Sequence, residues 1–170
     1  RKGFGSYTYV STIVTSADND VGSLSDLQGK TVAFADRLSA SGALFPLYML
    51  KQAGLSIGEL PQSDGGADFT AQFAGGHDKA LAAVDTGQAD AAGVGEFITL
   101  TENDAGERVK KDGLEYLEKY DEIPRAPICV SPLLPTDQQQ AVTQALLDAP
   151  ESMYIGEDGE ADTKDDLWFS

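Results

Sequence analysis

Three times between residues 31 and 111 a short apolar run gives way to a polar loop and then to side chains at helical spacing, and this repetition restricts the possible folds severely. The first unit is Val32-Ala33-Phe34-Ala35, then a polar stretch from Asp36 to Gly42, then a helix carrying Leu44, Leu47 and Leu50. The second runs over residues 68–73, passes through Gly75-Gly76-His77-Asp78, and continues as a helix over 79–86 with Gly87 as its C-cap. The third is a small-residue strand over 89–94, followed by Gly95-Glu96-Phe97 and a polar stretch predicted as helix over 98–111. Strands joined by crossover helices give parallel sheets with right-handed connections. The expected class is therefore α/β, a mainly parallel sheet flanked by helices, with polar loops gathered at the carboxyl ends of the strands.

The first of these loops carries the most chemistry. Ser39 and Ser41 stand where an N-cap belongs, Gly42 lets backbone approach a ligand closely, and the first N–H groups of the following helix have no partner inside it. The dipole is positive at that end and the serine hydroxyls add donors, so the stretch suits phosphate-like oxygens. The same residues also make an ordinary helix cap, and both readings stand at this level.

Around the three units, residues 7–15 are almost all β-branched or aromatic and read as a strand, 16–23 as a turn, and 24–29 as a one-turn helix closed by Gly29. Residues 54–66, rich in Gly, Pro, Ser and Asp, form a surface loop. A strand is predicted over 114–120, a turn over 121–126, a second apolar strand over 127–131 with Cys129 buried in it, and an amphipathic helix over 136–149 with Val142, Ala145, Leu146 and Ala149 on one face. Residues 1–150 thus read as one α/β lobe and 151–170 as an acidic C-terminal segment.

The 28 acidic against 12 basic residues give a net charge of −16. Lys and Arg are scattered singly apart from Arg1-Lys2 and Lys110-Lys111, which disfavours nucleic acid as a partner. Enzyme chemistry is poorly supplied. The one His and one Cys cannot make a zinc or iron site, Asp18-Asn19-Asp20 lacks the remaining calcium-loop residues, and no cofactor is implied. Gly29-Lys30-Thr31 is not a phosphate-binding P-loop, since its first glycine falls on Leu24 and a strand follows it rather than preceding it. A Ser/His hydrolase with Ser39 or Ser41 and His77 would lack the nucleophile elbow. No apolar run is long enough to span a membrane, and the abrupt start Arg1-Lys2-Gly3 suggests a preceding segment.

The chain resembles the phosphate, phosphite and phosphonate substrate-binding proteins of ABC importers, which have the type II periplasmic-binding-protein fold. The resemblance rests on Tyr9-x-Ser11, on Ser23-Leu24-x-Asp26-Leu27-x-Gly29-Lys30-Thr31, and on Ser39-Ala40-Ser41-Gly42 with Pro46. It continues in Phe73-x-Gly75-Gly76-His77-Asp78 and Ile123-Pro124-x-x-Pro127. It implies that Ser39, Ser41 and the amides from Ala40 to Gly42 hold the oxygens of a phosphorus oxyanion, that His77 bonds another, and that Tyr9 lines the cleft. Ala40 departs from the usual threonine and loses one hydroxyl. Glu96 is the candidate to recognise an amino group on a phosphonate.

The resemblance further implies an extracytoplasmic, lipid-anchored protein without catalysis. It would deliver its ligand to an ABC permease in the membrane, with hinge strands near 7–15 and 127–131 and a first lobe outside this chain. A sensor or self-associating domain built on the same lobe is the alternative, with the hydrolase behind it.

The acids are spread along the whole chain, as in a surface suited to concentrated salt, because mutual repulsion is screened over ~3 Å at 1 M salt but ~10 Å at 0.1 M. The melting temperature is therefore expected to rise between 0.05 M and 2 M NaCl; a protein equally stable at both would contradict salt adaptation.

Overall fold

The computed structural model describes residues 7–63 and 65–150. It divides into two compact units, Tyr9–Ile123 and a second formed by Arg1–Thr8 with Pro124–Ser170. The larger unit begins in β1 (Thr8–Ser16), followed by a 3-10 turn at Leu24–Leu27 and β2 (Thr31–Phe34). A π-helical turn (Ala40–Leu44) runs directly into α1 (Phe45–Gln52). Next come β3 (Thr70–Phe73), α2 (His77–Asp85), β4 (Ala91–Gly95), a 3-10 turn at Glu96–Ile98, the short strands β5 (Leu100–Glu102) and β6 (Arg108–Lys110), and β7 (Leu114–Pro124).

The main sheet has the order β3-β2-β4-β1-β7. β2 is parallel to both β3 and β4, and β1 runs antiparallel to β4 with Ser11 opposite Gly95. The α/β class with a parallel centre is as the sequence suggests. Because side chains alternate across a strand, Val32 and Phe34 enter one core with Ile13, Leu47 and Leu50, while Ala33 enters the other with Val14, Ala80, Leu81, Val84, Ala92 and Val94. Helix α1 covers the first face and α2 the second. Each fully buried Phe or Leu stabilises the fold by about 1.5–3 kcal/mol.

Gly93 lets α1 lie close to the sheet. A Cβ there would stand 2.6 Å from Pro46 Cβ and 3.1 Å from Phe34 Cδ1. The Ser23 to Thr31 motif is structural at both ends. Asp26 Oδ2 accepts hydrogen bonds from the amides of Gly22 (3.1 Å) and Ser23 (2.9 Å) and from the Ser23 hydroxyl, which hold its carboxyl below the ordinary pKa. The Asp90 carboxylate accepts the Thr31 amide at 2.8 Å and lies 3.7 Å from Lys30.

Four expectations are corrected. Residues 98–111 are not a helix: β5 and β6 form an antiparallel hairpin, Asn103 Oδ1 accepts from the amides of Ala105 and Glu107, and Gly106 has φ +77°, a turn that a helix cannot contain. Residues 121–124, expected as a turn, extend β7. Residues 127–131 have no regular structure and Cys129 is exposed. Pro124, Pro127 and Pro132 withhold the amides that strand pairing would need. In the smaller unit α3 (Thr136–Leu147) forms as expected, yet none of its residues is buried and Leu147 is 74% exposed, so its apolar side is not a core face among the described residues. Residues 151–170 lie outside the described residues.

Gly93→Ala is expected to destabilise the protein by about 1–3 kcal/mol through overpacking. The urea midpoint should fall with an unchanged slope, and an unaltered midpoint would show that α1 has room to withdraw.

Candidate functional site

The site is built where β2 ends. The Ala35 amide donates to Gly42 O at 2.9 Å, and Ala35 O accepts from the amides of Gly75 (2.7 Å) and Gly76 (2.9 Å). One residue therefore holds both the serine loop and the lead-in to α2. Ser39 closes the loop. Its Oγ accepts the Gly42 amide at 3.0 Å, and its carbonyl accepts both Ala43 and Leu44 amides at 3.0 Å, which widens the first turn to a π geometry. Among the described residues, the Ala40 and Ser41 amides are left without a hydrogen-bond partner. Ser41 is only 4% exposed, and from the sheet below the Ser11 hydroxyl donates to its carbonyl at 2.8 Å.

Gly42 is required by space. A Cβ would lie 2.4 Å from Ala35 Cβ, 2.8 Å from His77 Cε1 and 2.9 Å from Ser39 Oγ. Its absence brings the serine loop against His77, the first residue of α2. His77 Nδ1 accepts the Gly95 amide at 3.0 Å, so the neutral ring carries its proton on Nε2, which lies 3.4 Å from Ser39 Oγ. Phe97 meets the ring edge-on at 5.1 Å between centroids. Burial lowers the His77 pKa below its ordinary 6.5, with Asp78 opposing. The ring is thus a neutral donor near neutral pH.

That tautomer is opposite to what a serine hydrolase uses. A general base accepts the serine proton at Nε2 while Nδ1–H is held by a carboxylate, whereas here Nδ1 is itself an acceptor for a backbone amide. The arrangement is a set of neutral donors: two serine hydroxyls, the free amides at Ala40 and Ser41, and the imidazole Nε2–H. Such donors bind an oxyanion without a counter-cation.

Of the residues singled out from sequence, Ser39, Ala40, Ser41, Gly42 and His77 come together at this one place. Ala40 offers only its amide. Tyr9 is half-buried on β1, two residues before Ser11 and so on the same face of the strand. Glu96 follows Gly95 directly and forms an ion pair with Lys119, Oε1 to Nζ 2.5 Å. Sequence reasoning missed the supporting roles of Ser11 and of the Gly95 amide, and it missed Lys119. Only the Tyr9-x-Ser11 motif hinted at the first; backbone amides and cross-strand pairs leave no local pattern.

Because His77 is the only histidine, its titration can be followed by NMR without assignment ambiguity. The midpoint is expected below 6.5, with the Nε2–H tautomer above it. The unfolded chain then binds the proton first, so this group's contribution to stability is full above pH 6.5 and is lost as pH falls below it. A midpoint above 6.5, or the Nδ1–H tautomer, would contradict the geometry.

Comparison with known proteins places this site in context. The family described as "ABC transporter, phosphonate, periplasmic substrate-binding protein" matches residues 1–169. The phosphate-import protein PhnD of Mycolicibacterium smegmatis is 36% identical over 88 residues, 51% of this chain and 27% of that protein. The structure of PhnD1 from Prochlorococcus marinus in complex with methylphosphonate superposes with a TM-score of 0.52 at 25% identity, covering 69% of this chain and 43% of that one. The XAC2383 protein of Xanthomonas citri bound to ATP has a TM-score of 0.64 at 20% identity (87% and 56% covered). A binding-protein component of an ABC phosphonate transporter from Pseudomonas aeruginosa has 0.58 at 20% identity (94% and 49% covered). The last two likenesses concern the fold. The chain spans between about a quarter and a little over half of the length of these relatives. With the family matched over almost its whole length, this chain belongs to the phosphonate-binding family of ABC-transporter periplasmic substrate-binding proteins.

Proposed function

We propose that this chain is the lobe of a solute-binding protein that captures a phosphorus oxyanion, a phosphonate, phosphite or phosphate, outside the cytoplasm and hands it to an ABC permease. The observation that carries the reading is the gathering of neutral donors at the end of β2: the unpartnered Ala40 and Ser41 amides and the Ser39 and Ser41 hydroxyls in one loop, with His77 Nε2–H 3.4 Å from Ser39 Oγ. A protein of net charge −16 that is to hold an anion needs such local donors, since its overall field repels the ligand. The ligands named for two relatives, phosphate and methylphosphonate, share the tetrahedral oxygens that this geometry suits.

The ligand keeps its covalent bonds. A second lobe, corresponding to the part of its relatives that this chain does not span, supplies the other wall of the cleft. The chain passes to it through β1 and β7. Closure of the two lobes excludes water and strengthens each hydrogen bond to the ligand. A lipid anchor keeps the protein at the membrane beside its permease; among the described residues no helix is long and apolar enough to cross a membrane.

Calorimetric titration of the full-length protein with phosphate, phosphite, methylphosphonate and 2-aminoethylphosphonate tests this. At least one is expected to bind, and Ser41→Ala or His77→Ala to weaken it about tenfold or more, the order of a lost hydrogen bond to a charged group. No heat from any of the four would remove the oxyanion reading and leave the serine loop as a helix cap.

A further inference from the structure

Glu96, the residue after the Gly95 that fixes His77, already has an ammonium. Lys119 Nζ reaches across from β7 to lie 2.5 Å from Glu96 Oε1 and 3.8 Å from the centre of the Tyr116 ring. Glu96 is held from a second direction. The Thr99 hydroxyl, on a fully buried residue, donates to Glu96 O at 2.8 Å, so Tyr116 is the donor in its own 2.7 Å hydrogen bond to Thr99 Oγ1. A carboxylate, an aromatic face and an ammonium between them make a complete cation site, and the cation is part of the chain.

Its position gives this pair a consequence for the ligand. Glu96 lies between Gly95, whose amide fixes His77 Nδ1, and Phe97, whose ring packs on the imidazole. An uncompensated carboxylate there would repel an oxyanion held by His77 Nε2–H. The side chains of Glu96 and Lys119 are 24% and 43% exposed, so the pair is only partly screened by water. Two other ion pairs lie elsewhere: Lys30–Asp90 at the opposite end of β4, and Lys110–Glu115 between the hairpin and the start of β7.

We propose that Lys119 is a specificity-determining residue, its ammonium occupying on Glu96 the place that an amino group of the ligand would take. The site thereby favours phosphorus oxyanions without an amino group, such as phosphite, phosphate and simple alkylphosphonates, over aminoalkylphosphonates. An amino ligand gains little, because it must displace one ammonium to install another. This inference rests on the oxyanion reading of the cradle.

The test is a pair of affinities, for methylphosphonate and 2-aminoethylphosphonate, measured on the full-length protein. Wild type should bind methylphosphonate at least as tightly as the amino ligand. Lys119→Met, which keeps the alkyl stem against Tyr116, should weaken methylphosphonate and move the affinity ratio toward 2-aminoethylphosphonate by tenfold or more. Adding Glu96→Gln to Lys119→Met should abolish that shift, and Lys119→Arg should retain the wild-type ratio. Circular dichroism checks folding, and Lys119→Gln gives the same reading if the methionine variant does not fold. A wild type that binds methylphosphonate with a ratio unmoved in these variants overturns the role of Lys119 and leaves the cradle intact. A wild type that binds neither of these ligands, nor phosphate, nor phosphite, overturns both.

Discussion

The site depends on a few backbone hydrogen bonds at the end of β2. Ala35 gives its amide to Gly42 O and its carbonyl to the amides of Gly75 and Gly76. β2 is the central strand of the parallel trio, with β3 and β4 in register on either side, so whatever follows it is fixed by two neighbours at once. The serine loop and the start of α2 are thereby brought to one place, and Gly42 permits the final approach because it has no Cβ to meet Ala35, Ser39 or His77. The third parallel strand completes the arrangement when the Gly95 amide sets the His77 tautomer.

On the proposed reading of the site, electrostatics explains why its donors are neutral. Surface acids over the whole chain produce a field hostile to anions, and screening weakens it over distances of ~8–10 Å at moderate salt. Hydrogen-bond donors at contact distance act well inside that range. Burial of the imidazole, which disfavours its protonation, supports the same design by keeping His77 an uncharged donor near neutral pH. Glu96 is the exception, a carboxylate on the residue between Gly95 and Phe97, both of which touch His77, and Lys119 balances it within hydrogen-bonding distance.

Much of this was legible in the chain because the features are local. Ser39 and Gly42 announce a cap, the unbroken apolar run 32–35 announces a strand with two buried faces, and Gly75-Gly76 before His77 announces a helix start. The errors fall where local pattern is ambiguous. Residues 98–111 have enough polar residues at helical spacing to read as a helix, and the decisive signal was the turn chemistry of Asn103 to Gly106. Residues 127–131 are apolar enough for a strand, yet the prolines around them deny the ladder its donors. Cys129 was expected to be buried with that strand and is exposed without it.

By itself the sequence determined the α/β class, the serine loop and the histidine at a helix start, because caps, turn residues and hydrophobic periodicity act over a few residues. Only the tertiary structure decided which nitrogen of His77 bears the proton, which residue supports Ser41 from below, and which cation meets Glu96. Those three contacts join residues 18, 30 and 23 positions apart. Their partners are a backbone amide, a strand hydroxyl and a lysine on another strand. None of these acquires a role until the sheet order β2-β4-β1-β7 places them side by side.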